Sequence, residues 1–226
     1  MVRPGGATWG FAGYGFRRIW WPAVRERAAL AHHGGMQSES RTGQLLAATP
    51  MLGDANFRRT IVLIVEDDPG EGTLGVVLNR PSDIPVQQVL EPWTDLVTGP
   101  SVLFQGGPVS PDSALALAMP KGGTEPIGWR SLSGSKLMSS IGLIDLGAPP
   151  QLLVGGIASL RVFAGYAGWG AGQLEAEIEA GAWLVLDALP EDAFATEPDR
   201  LYPAVLRRQG GETALLATYP DDPVLN

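Results

Sequence analysis

The residues best suited to binding chemistry in this sequence are Asn79, Arg80 and Pro81. An arginine that ends a buried strand, with its direction restricted by a following proline, can hold either a buried carboxylate or an anionic ligand. Gly106 and Gly107 begin a second rigid turn, whose backbone N–H groups would complete an anion-binding nest if they faced Arg80. The sequence leaves both interpretations open, a structural ion pair and a ligand site.

A second candidate is the stretch GYAGWGAGQLEAEI, from Gly165 to Ile178, which places four glycines before a predicted helix. Such an entry to a helix often holds phosphate. A phosphate loop also needs a lysine and a hydroxyl, and the dinucleotide motif needs the spacing G-x-G-x-x-G, whereas this stretch has G-x-G-x-G. No Lys or Arg lies between Val162 and Asp199. We therefore do not expect phosphate at this turn.

Trp169 and Gln173 within the same stretch have two interpretations. In the structural one, the glycines make a tight corner and Trp169 packs beneath it. In the functional one, Trp169 and Gln173 form the wall and the polar contact of a small pocket or partner groove. The exposure of the Trp169 ring distinguishes the two.

Catalytic side chains are scarce. The chain has no cysteine, and both histidines, His32 and His33, precede residue 36. This removes Ser-His-Asp and Cys-His triads and His-rich metal sites from the remaining 190 residues. Asp67 and Asp68 lie in a predicted turn, where acids usually serve turn formation. We predict no catalytic residue, no metal site and no cofactor.

Charge divides the chain into two parts. Residues 1–36 hold five arginines and one glutamate, a net charge of +4, and the other residues hold 11 basic and 23 acidic groups, a net charge of −12. A domain this acidic repels nucleic-acid backbones, which proteins bind mainly by neutralising phosphates with Lys and Arg. Direct nucleic-acid binding is therefore not expected.

The first residues do not resemble a folded unit or a secretory signal, because glycines and arginines interrupt every apolar run. We expect residues 1–40 to be a disordered basic and aromatic extension, or to reflect a misassigned start with Met36 as the first residue. A membrane-surface or RNA-contacting arm is the alternative. No apolar run approaches the roughly 18 residues of a membrane span. With no cysteine for disulfides, we expect a cytoplasmic protein.

Residues 41–226 are predicted to form one domain, because strands and short helices alternate there without a long linker. TIVLIVE, DDPGEG and TLGVVLN in succession predict a hairpin with a strand buried on both faces. Helices are predicted to begin at Pro85 with Ser82 and Asp83 before it, at Ala171 and at Glu197. Further strands are predicted over 44–49, 102–105, 114–119, 161–166 and 183–189.

Five motifs in this order resemble the YqgE/AlgH family of bacterial proteins: G-x-L-L-x-A at Gly43, F-R-R-T at Phe57, G-T-L-G-V-V-L-N-R-P at Gly72, G-G-P-V at Gly106, and G-Y-A-G-W-x-x-G-Q-L-E-x-E at Gly165. The resemblance implies an α+β fold with a strongly twisted, bifurcated, mostly antiparallel sheet forming a pseudo-barrel, with a few short helices. It covers about residues 41–226. Members are described as uncharacterised proteins or transcriptional regulators, and the resemblance supplies no catalytic residues.

These observations predict a non-catalytic regulatory module that binds a small anionic ligand or a protein partner, with an indirect influence on transcription. The predicted ligand-binding residues are Asn79, Arg80, Gly106, Gly107, Trp169 and Gln173. One alternative is an enzyme that depends on a cofactor bound between the NRP, GGPV and GYAGW turns. The other is a DNA-binding regulator, which the acidic charge disfavours. The sequence does not determine the number of copies in the assembly.

Overall fold

The computed structural model describes residues 17–18, 40–122, 125–132 and 138–219, which form a curled, mainly antiparallel sheet with a few short helices. The sheet closes into a half-barrel, so the predicted α+β class and twisted sheet are confirmed. The strands of this part of the chain are β1 Arg17–Arg18, β2 Leu45–Ala48, β3 Ile61–Asp68, β4 Gly72–Val77, β5 Pro81–Pro85, β6 Val102–Gln105, β7 Val109–Pro120, β8 Trp129–Ser131, β9 Gly142–Ile144, β10 Ile157–Trp169 and β11 Trp183–Leu186.

The predicted hairpin is present as β3 and β4, which pair from Val62 with Val77 to Asp68 with Gly72. Its turn is shorter than DDPGEG, because Asp67 and Asp68 belong to β3. Residues 61–65 of β3 are each at most 1% exposed, which confirms burial on both faces. Because the strands pair antiparallel, the residues that precede β3 lie beside those that follow β4.

The sheet divides along β10. One edge of β10 pairs with β7, from Ile157 with Pro120 to Tyr166 with Val109. The other edge pairs first with β6, at Phe163 and Ala164, and then with β4, from Ala167 to Trp169. Gly165 lies at the changeover with a φ of 70°, a left-handed conformation that glycine adopts without a steric penalty. The bifurcation predicted by the family resemblance therefore has its origin in β10.

Apolar side chains pack in three clusters on the faces of this sheet. The first lies under α3 Leu201–Gln209 and includes Leu63, Phe104 and Phe163. The second lies under α1 Val86–Val89 and includes Trp93. The third lies under α2 Gln173–Glu179 and includes Trp169 and Trp183. The remaining α-helix of the described chain is α4 Gly211–Leu216. Short 3-10 helices span Glu91–Leu96, Met138–Ser140, Pro150–Leu152, Pro190–Phe194 and Pro198–Arg200.

Three sequence predictions need correction. Ser82 and Asp83 do not cap a helix, because Pro81–Pro85 form β5 against β6, and the Ser82 hydroxyl donates to the Leu103 carbonyl instead. The strand predicted over 114–119 begins earlier, because residues from Val109 belong to β7. The glycine corner is also shorter, because β10 continues to Trp169. In each case pairing with a distant strand overrides the local turn signal.

The predictions for residues 1–39 and 220–226 lie outside the described residues, except that Arg17–Arg18 pair with β7 at Ser113 and Ala114. In the described parts of the chain, we find no helix with the length and apolarity that a membrane crossing requires.

Candidate anion-binding site

Asn79 lies two residues after the end of β4 and is buried, with 4% of its surface exposed. Its Oδ1 accepts the Ile61 N–H at 2.9 Å, and its Nδ2 donates to the Arg59 carbonyl at 2.9 Å. Both ends of the amide are thus used to fasten the end of β4 to the segment that enters β3. A buried amide satisfied in this way holds the backbone in one arrangement.

Arg80 follows and is half-buried. Its Nη2 donates to the carbonyl of Arg58, and its own carbonyl accepts the Gln105 N–H at 2.8 Å. Burial lowers the pKa of Arg80, while the nearby Asp199 carboxylate acts to raise it. Arginine keeps its charge under such conditions, so the site carries a fixed positive group. The NRP and FRRT motifs, distant in sequence, therefore meet at one place.

Arg59 has a φ of 54°, which is uncommon for a residue other than glycine. Its Nη1 donates to the Tyr219 carbonyl at 2.7 Å, and its guanidinium lies 4.9 Å from the centre of the Tyr202 ring. These contacts and the Asn79 amide hold the unusual backbone in place. The preceding residue, Arg58, is exposed.

We refer to Arg58, Arg59 and Arg80 as the arginine site. In the described parts of the chain, neither Arg58 nor Arg80 has an ion pair with a carboxylate within 4.0 Å; the ion pairs found there join Arg41 with Glu175, Arg200 with Glu197 and Arg208 with Asp192. Within the part of the chain that the structure describes, the Arg80 guanidinium is bonded to a backbone carbonyl and the Asp199 carboxylate lies nearby.

An aromatic cluster anchors the FRRT turn, which carries Arg58 and Arg59. Phe57, the residue before Arg58, stacks on Trp169 with ring centres 6.2 Å apart and meets Trp183 edge-on at 5.4 Å. Because Phe57 begins the four-residue FRRT turn, this packing fixes the turn against the third core cluster.

Trp169 is 6% exposed, so its ring is part of the core and not the open wall of a pocket. Its Nε1 donates to Glu177 Oε2 at 3.0 Å, and Trp183 Nε1 donates to the same oxygen at 2.8 Å. Gln173 Nε2 donates to Glu177 Oε1 at 2.9 Å, while Gln173 Oε1 accepts the Gly170 N–H at 3.1 Å. These contacts support the structural interpretation of both residues, and ligand binding by them stays a prediction.

Glu177 is the residue of this region that sequence reasoning missed. Burial alone would raise the pKa of its carboxyl group, but hydrogen bonds from Trp183, Gln173 and Trp169 outweigh burial and hold the pKa below its ordinary value. Three glutamates alternate in α2, at 175, 177 and 179, and the sequence does not tell which one receives the indoles. The position of Trp183 in the fold determines that Glu177 is the glutamate that accepts the indole N–H groups.

Gly106 and Gly107 lie where β6 and β7 approach β10 and β4. The Gly106 N–H donates to the Ala164 carbonyl at 2.8 Å, so the sheet already uses this donor. A Cβ on Gly107 would lie 2.2 Å from the Tyr166 backbone. The two turns are in direct backbone contact there. A cofactor bound at the NRP, GGPV and GYAGW turns stays an alternative prediction. An anion contact by these glycines stays a prediction.

Acidic side chains line a cleft of about 180 Å³ between the β3–β4 turn and α2. Asp67 accepts the Thr73 hydroxyl at 2.6 Å and the Arg41 N–H at 2.7 Å. Glu175 forms an ion pair with Arg41 at 2.6 Å. These carboxylates therefore serve the turn and its anchoring. No cluster of three or more His, Cys, Asp or Glu side chains suited to a metal occurs among the residues described.

Arg161, at the middle of β10, is fully buried and was not identified from the sequence. Its guanidinium donates to the carbonyls of Ala193 at 3.1 Å, Gly99 at 3.1 Å and Ala195 at 2.9 Å, and lies 4.2 Å from the centre of the Phe104 ring. Burial lowers its pKa to about 10. Arg161 thus fastens two loops to the central strand.

Comparison with known proteins places this fold and its motifs in a family. Residues 45–214 match the AlgH-like family. A UPF0301 protein of Thermobifida fusca is 52% identical over 194 residues, which are 84% of this chain and 98% of the relative. The chain therefore belongs to the AlgH-like family, and the resemblance inferred from its five motifs is confirmed.

Solved structures agree with this assignment. The crystal structure of protein DIP2367 from Corynebacterium diphtheriae is similar with a TM-score of 0.73 at 31% identity, over 82% of this chain and 95% of the other. The solution structure of AlgH from Pseudomonas aeruginosa is similar with a TM-score of 0.60 at 27% identity, over 83% of this chain and 98% of the other.

Proposed function

We propose that this chain is a non-catalytic binding module that recognises an anionic group through Arg58 and Arg80. The observation that carries the proposal is the meeting of the NRP and FRRT motifs, where Arg80 donates to the Arg58 carbonyl. Arg58 and Arg80 come from separate segments and are joined through the Arg58 backbone, and among the described residues neither has an ion pair with a carboxylate. Paired guanidinium groups suit carboxylates and phosphates, because their N–H donors match two oxygens at once.

The surrounding structure supports binding because it holds the Arg80 side chain and the backbone around Arg58 before a ligand arrives. Asn79 fixes the backbone next to each arginine, and Phe57 packs the turn on two tryptophans. A site held in this way loses little conformational entropy on binding. The same proposal keeps Asn79 as a positioning residue and assigns the direct contacts to the guanidinium groups.

Recognition, and not turnover, is proposed because the residues after His33 include neither cysteine nor histidine, the commonest nucleophile and proton-transfer groups. The net charge of −12 on residues 37–226 argues against direct binding of DNA. We propose a cytoplasmic protein that influences transcription through a protein partner.

The proposal is tested by titrating the protein with inorganic phosphate, pyrophosphate, citrate and ATP, using calorimetry and thermal shift. Arg80→Ala should weaken binding of the probe that binds best by about 10-fold to 100-fold, the range for a hydrogen bond to a charged group. Arg200→Ala is the matched control, since its side chain is 79% exposed and pairs with Glu197 in the same turn.

Arg200→Ala should change affinity by less than about 2-fold, as is usual for an exposed pair. Two results contradict the proposal. One is a wild-type protein that binds none of the four probes, and the other is an Arg80→Ala variant that folds and binds as tightly as the wild type.

A further inference from the structure

Strand β11 lies at one end of the sheet and has an open edge. Among the described residues it pairs antiparallel with β2 and with no other strand. Leu184 and Leu186 pack on the first core cluster, and Val185 packs on the third. All three residues are nevertheless only partly buried. Because their side chains alternate between the two faces of the sheet, the exposure that they share is exposure of the strand edge.

The hydrogen bonds between β2 and β11 determine which backbone groups face this edge. The Thr49 N–H donates to the Ala182 carbonyl at 3.0 Å, so these two residues form a hydrogen-bonded pair where the ladder begins. In an antiparallel ladder such pairs alternate with pairs that are not hydrogen-bonded. Trp183 and Val185 therefore belong to pairs of the second kind. Their N–H and C=O groups point away from β2.

The protein limits the open part of the edge at both ends. At one end, Arg208 Nη2 donates to the Asp187 carbonyl at 3.1 Å. Asp187 is the next residue whose backbone groups point away from β2. At the other end, Gly181 lies in the turn after α2, and its carbonyl accepts a side-chain hydroxyl at 2.7 Å. The open part of the edge is thus the backbone of Trp183 and Val185.

Two other edge strands carry residues that oppose pairing with another chain. β5 contains Pro81 and Pro85, which have no N–H to donate. β8 has the exposed Arg130 at its centre. Prolines and charged residues are common means by which native sheets keep their edges unpaired. The sequence of β11, WLVL, contains neither, so this edge is the one suited to pairing.

We propose that β11 is an interface at which a second copy of this chain adds its own β11 antiparallel, about a twofold axis at Leu184. In this register Trp183 faces Val185 of the second copy, and Val185 faces Trp183 of the second copy. Each of these pairs can exchange both N–H···O bonds. The open backbone groups of one copy therefore satisfy those of the other, and Leu184 meets its own counterpart across the axis.

The occupant is a second copy because the open part of the edge is complementary to itself, as a twofold interface requires. A register centred on Val185 would instead set Trp183 against the Asp187 carbonyl of the second copy. Arg208 already donates to that carbonyl. The axis at Leu184 uses every open group and leaves the Arg208 contact in place.

Cysteine cross-linking tests this register, because the chain contains no cysteine of its own. Leu184→Cys would place the two Cα atoms about 4.5 Å apart across the axis, within the range of about 4.4–6.8 Å that a disulfide spans. Leu186→Cys is the matched control, because Leu186 packs on the same core cluster but would lie about 13 Å from its counterpart. Under mild oxidation Leu184→Cys should form a covalent dimer, and Leu186→Cys should remain a single chain.

Removal of one outward N–H tests the interface itself. Val185→Pro deletes a donor of the open edge and none of the donors that bond to β2. Sedimentation of the wild type should show a reversible dimer with a Kd on the order of 100 μM, because so short an edge buries less than a standard interface. Val185→Pro should weaken this dimer at least about 10-fold, since a hydrogen bond is lost from each copy. Val185→Thr keeps the N–H and the branched shape and should dimerise like the wild type.

Hydrogen exchange of the Val185 amide distinguishes the occupants of the edge. In the wild type, this exchange should slow as the protein concentration is raised through the range of dimerisation. A monomer whose Val185 amide is protected at every concentration would show that another part of the same chain covers the edge, and would overturn the proposal. A monomer whose Val185 amide exchanges freely would leave the edge to a different protein and overturn it equally.

Two further results would contradict the interface. One is a dimer that a folded Val185→Pro variant leaves intact, and the other is equal cross-linking of Leu184→Cys and Leu186→Cys. Circular dichroism shows whether each variant is folded. If Val185→Pro does not fold, the two cysteine variants decide the proposal by themselves.

Discussion

Arg161 and the arginine site show two ways in which this chain uses a guanidinium group. Arg161 has no exposed surface and donates hydrogen bonds to three backbone carbonyls from two separate loops. Arg80 is half-buried and uses one donor on the Arg58 carbonyl, while Arg58 is exposed. Arg161 connects parts of the fold, whereas Arg58 and Arg80 keep exposed surface. Burial and the number of acceptors, and not the residue type, distinguish the two roles.

The comparison predicts that Arg161 contributes most to stability. Arg161→Ala should lower the free energy of unfolding by about 3–5 kcal/mol, because it leaves three carbonyls without a donor and a cavity beside Phe104. Urea denaturation of the wild type and the variant measures this loss. Arg80→Ala provides the contrast and should cost about 1 kcal/mol, the typical value for one hydrogen bond. If the two variants lost equal stability, the distinction between them would be wrong.

A second, smaller effect concerns Glu177, the other polar group that serves the interior. Its folded-state pKa lies below the ordinary value of 4.5, so its contribution is fully present above that value and is lost as the pH falls through the folded-state pKa. Thermal melts between about pH 6 and about pH 3 should therefore show a steeper loss of stability in the wild type than in Glu177→Gln. Glu179→Gln, an exposed neighbour in α2, is the control and should follow the wild type. Parallel pH profiles for all three proteins would show that Glu177 does not cause the loss of stability at low pH.

The smallest effect on stability is expected at Arg58. Because its side chain is exposed, Arg58→Ala should change the free energy of unfolding by less than about 0.5 kcal/mol. The same variant should weaken binding of the best of the four anions several-fold, which separates binding from folding. An Arg58→Ala variant that loses stability and keeps its affinity for the anion would show that Arg58 has a structural role, like Arg161, and not a binding role.

Local patterns were sufficient to predict the hairpin and hence the place of the arginine site. TIVLIVE and TLGVVLN are long apolar runs around a turn, and their pairing brings the FRRT and NRP motifs together at the open end of the hairpin. The position of FRRT beside NRP follows from this topology. Glycines at 106 and 107 were recognised as a rigid turn, but their close approach to Tyr166 was not visible in the sequence.

Contacts between distant segments could not be predicted in this way. The acceptors of Arg161 lie at 99, 193 and 195, more than 30 residues away on either side, and no local pattern marks them. β5 was taken for the start of a helix, since Ser82, Asp83 and Pro85 form a local helix signal, but pairing with β6 is decided by the sheet. Tertiary pairing and burial therefore determine the features that the sequence did not show.

The most direct test of the central claim is an NMR titration of the wild-type protein with the best-binding anion, followed at the arginine Nε–H groups. The account predicts saturable shifts for Arg58 and Arg80 and an unchanged signal for Arg161. Shifts confined to other arginines, or no saturable shift at Arg58 and Arg80, would contradict it.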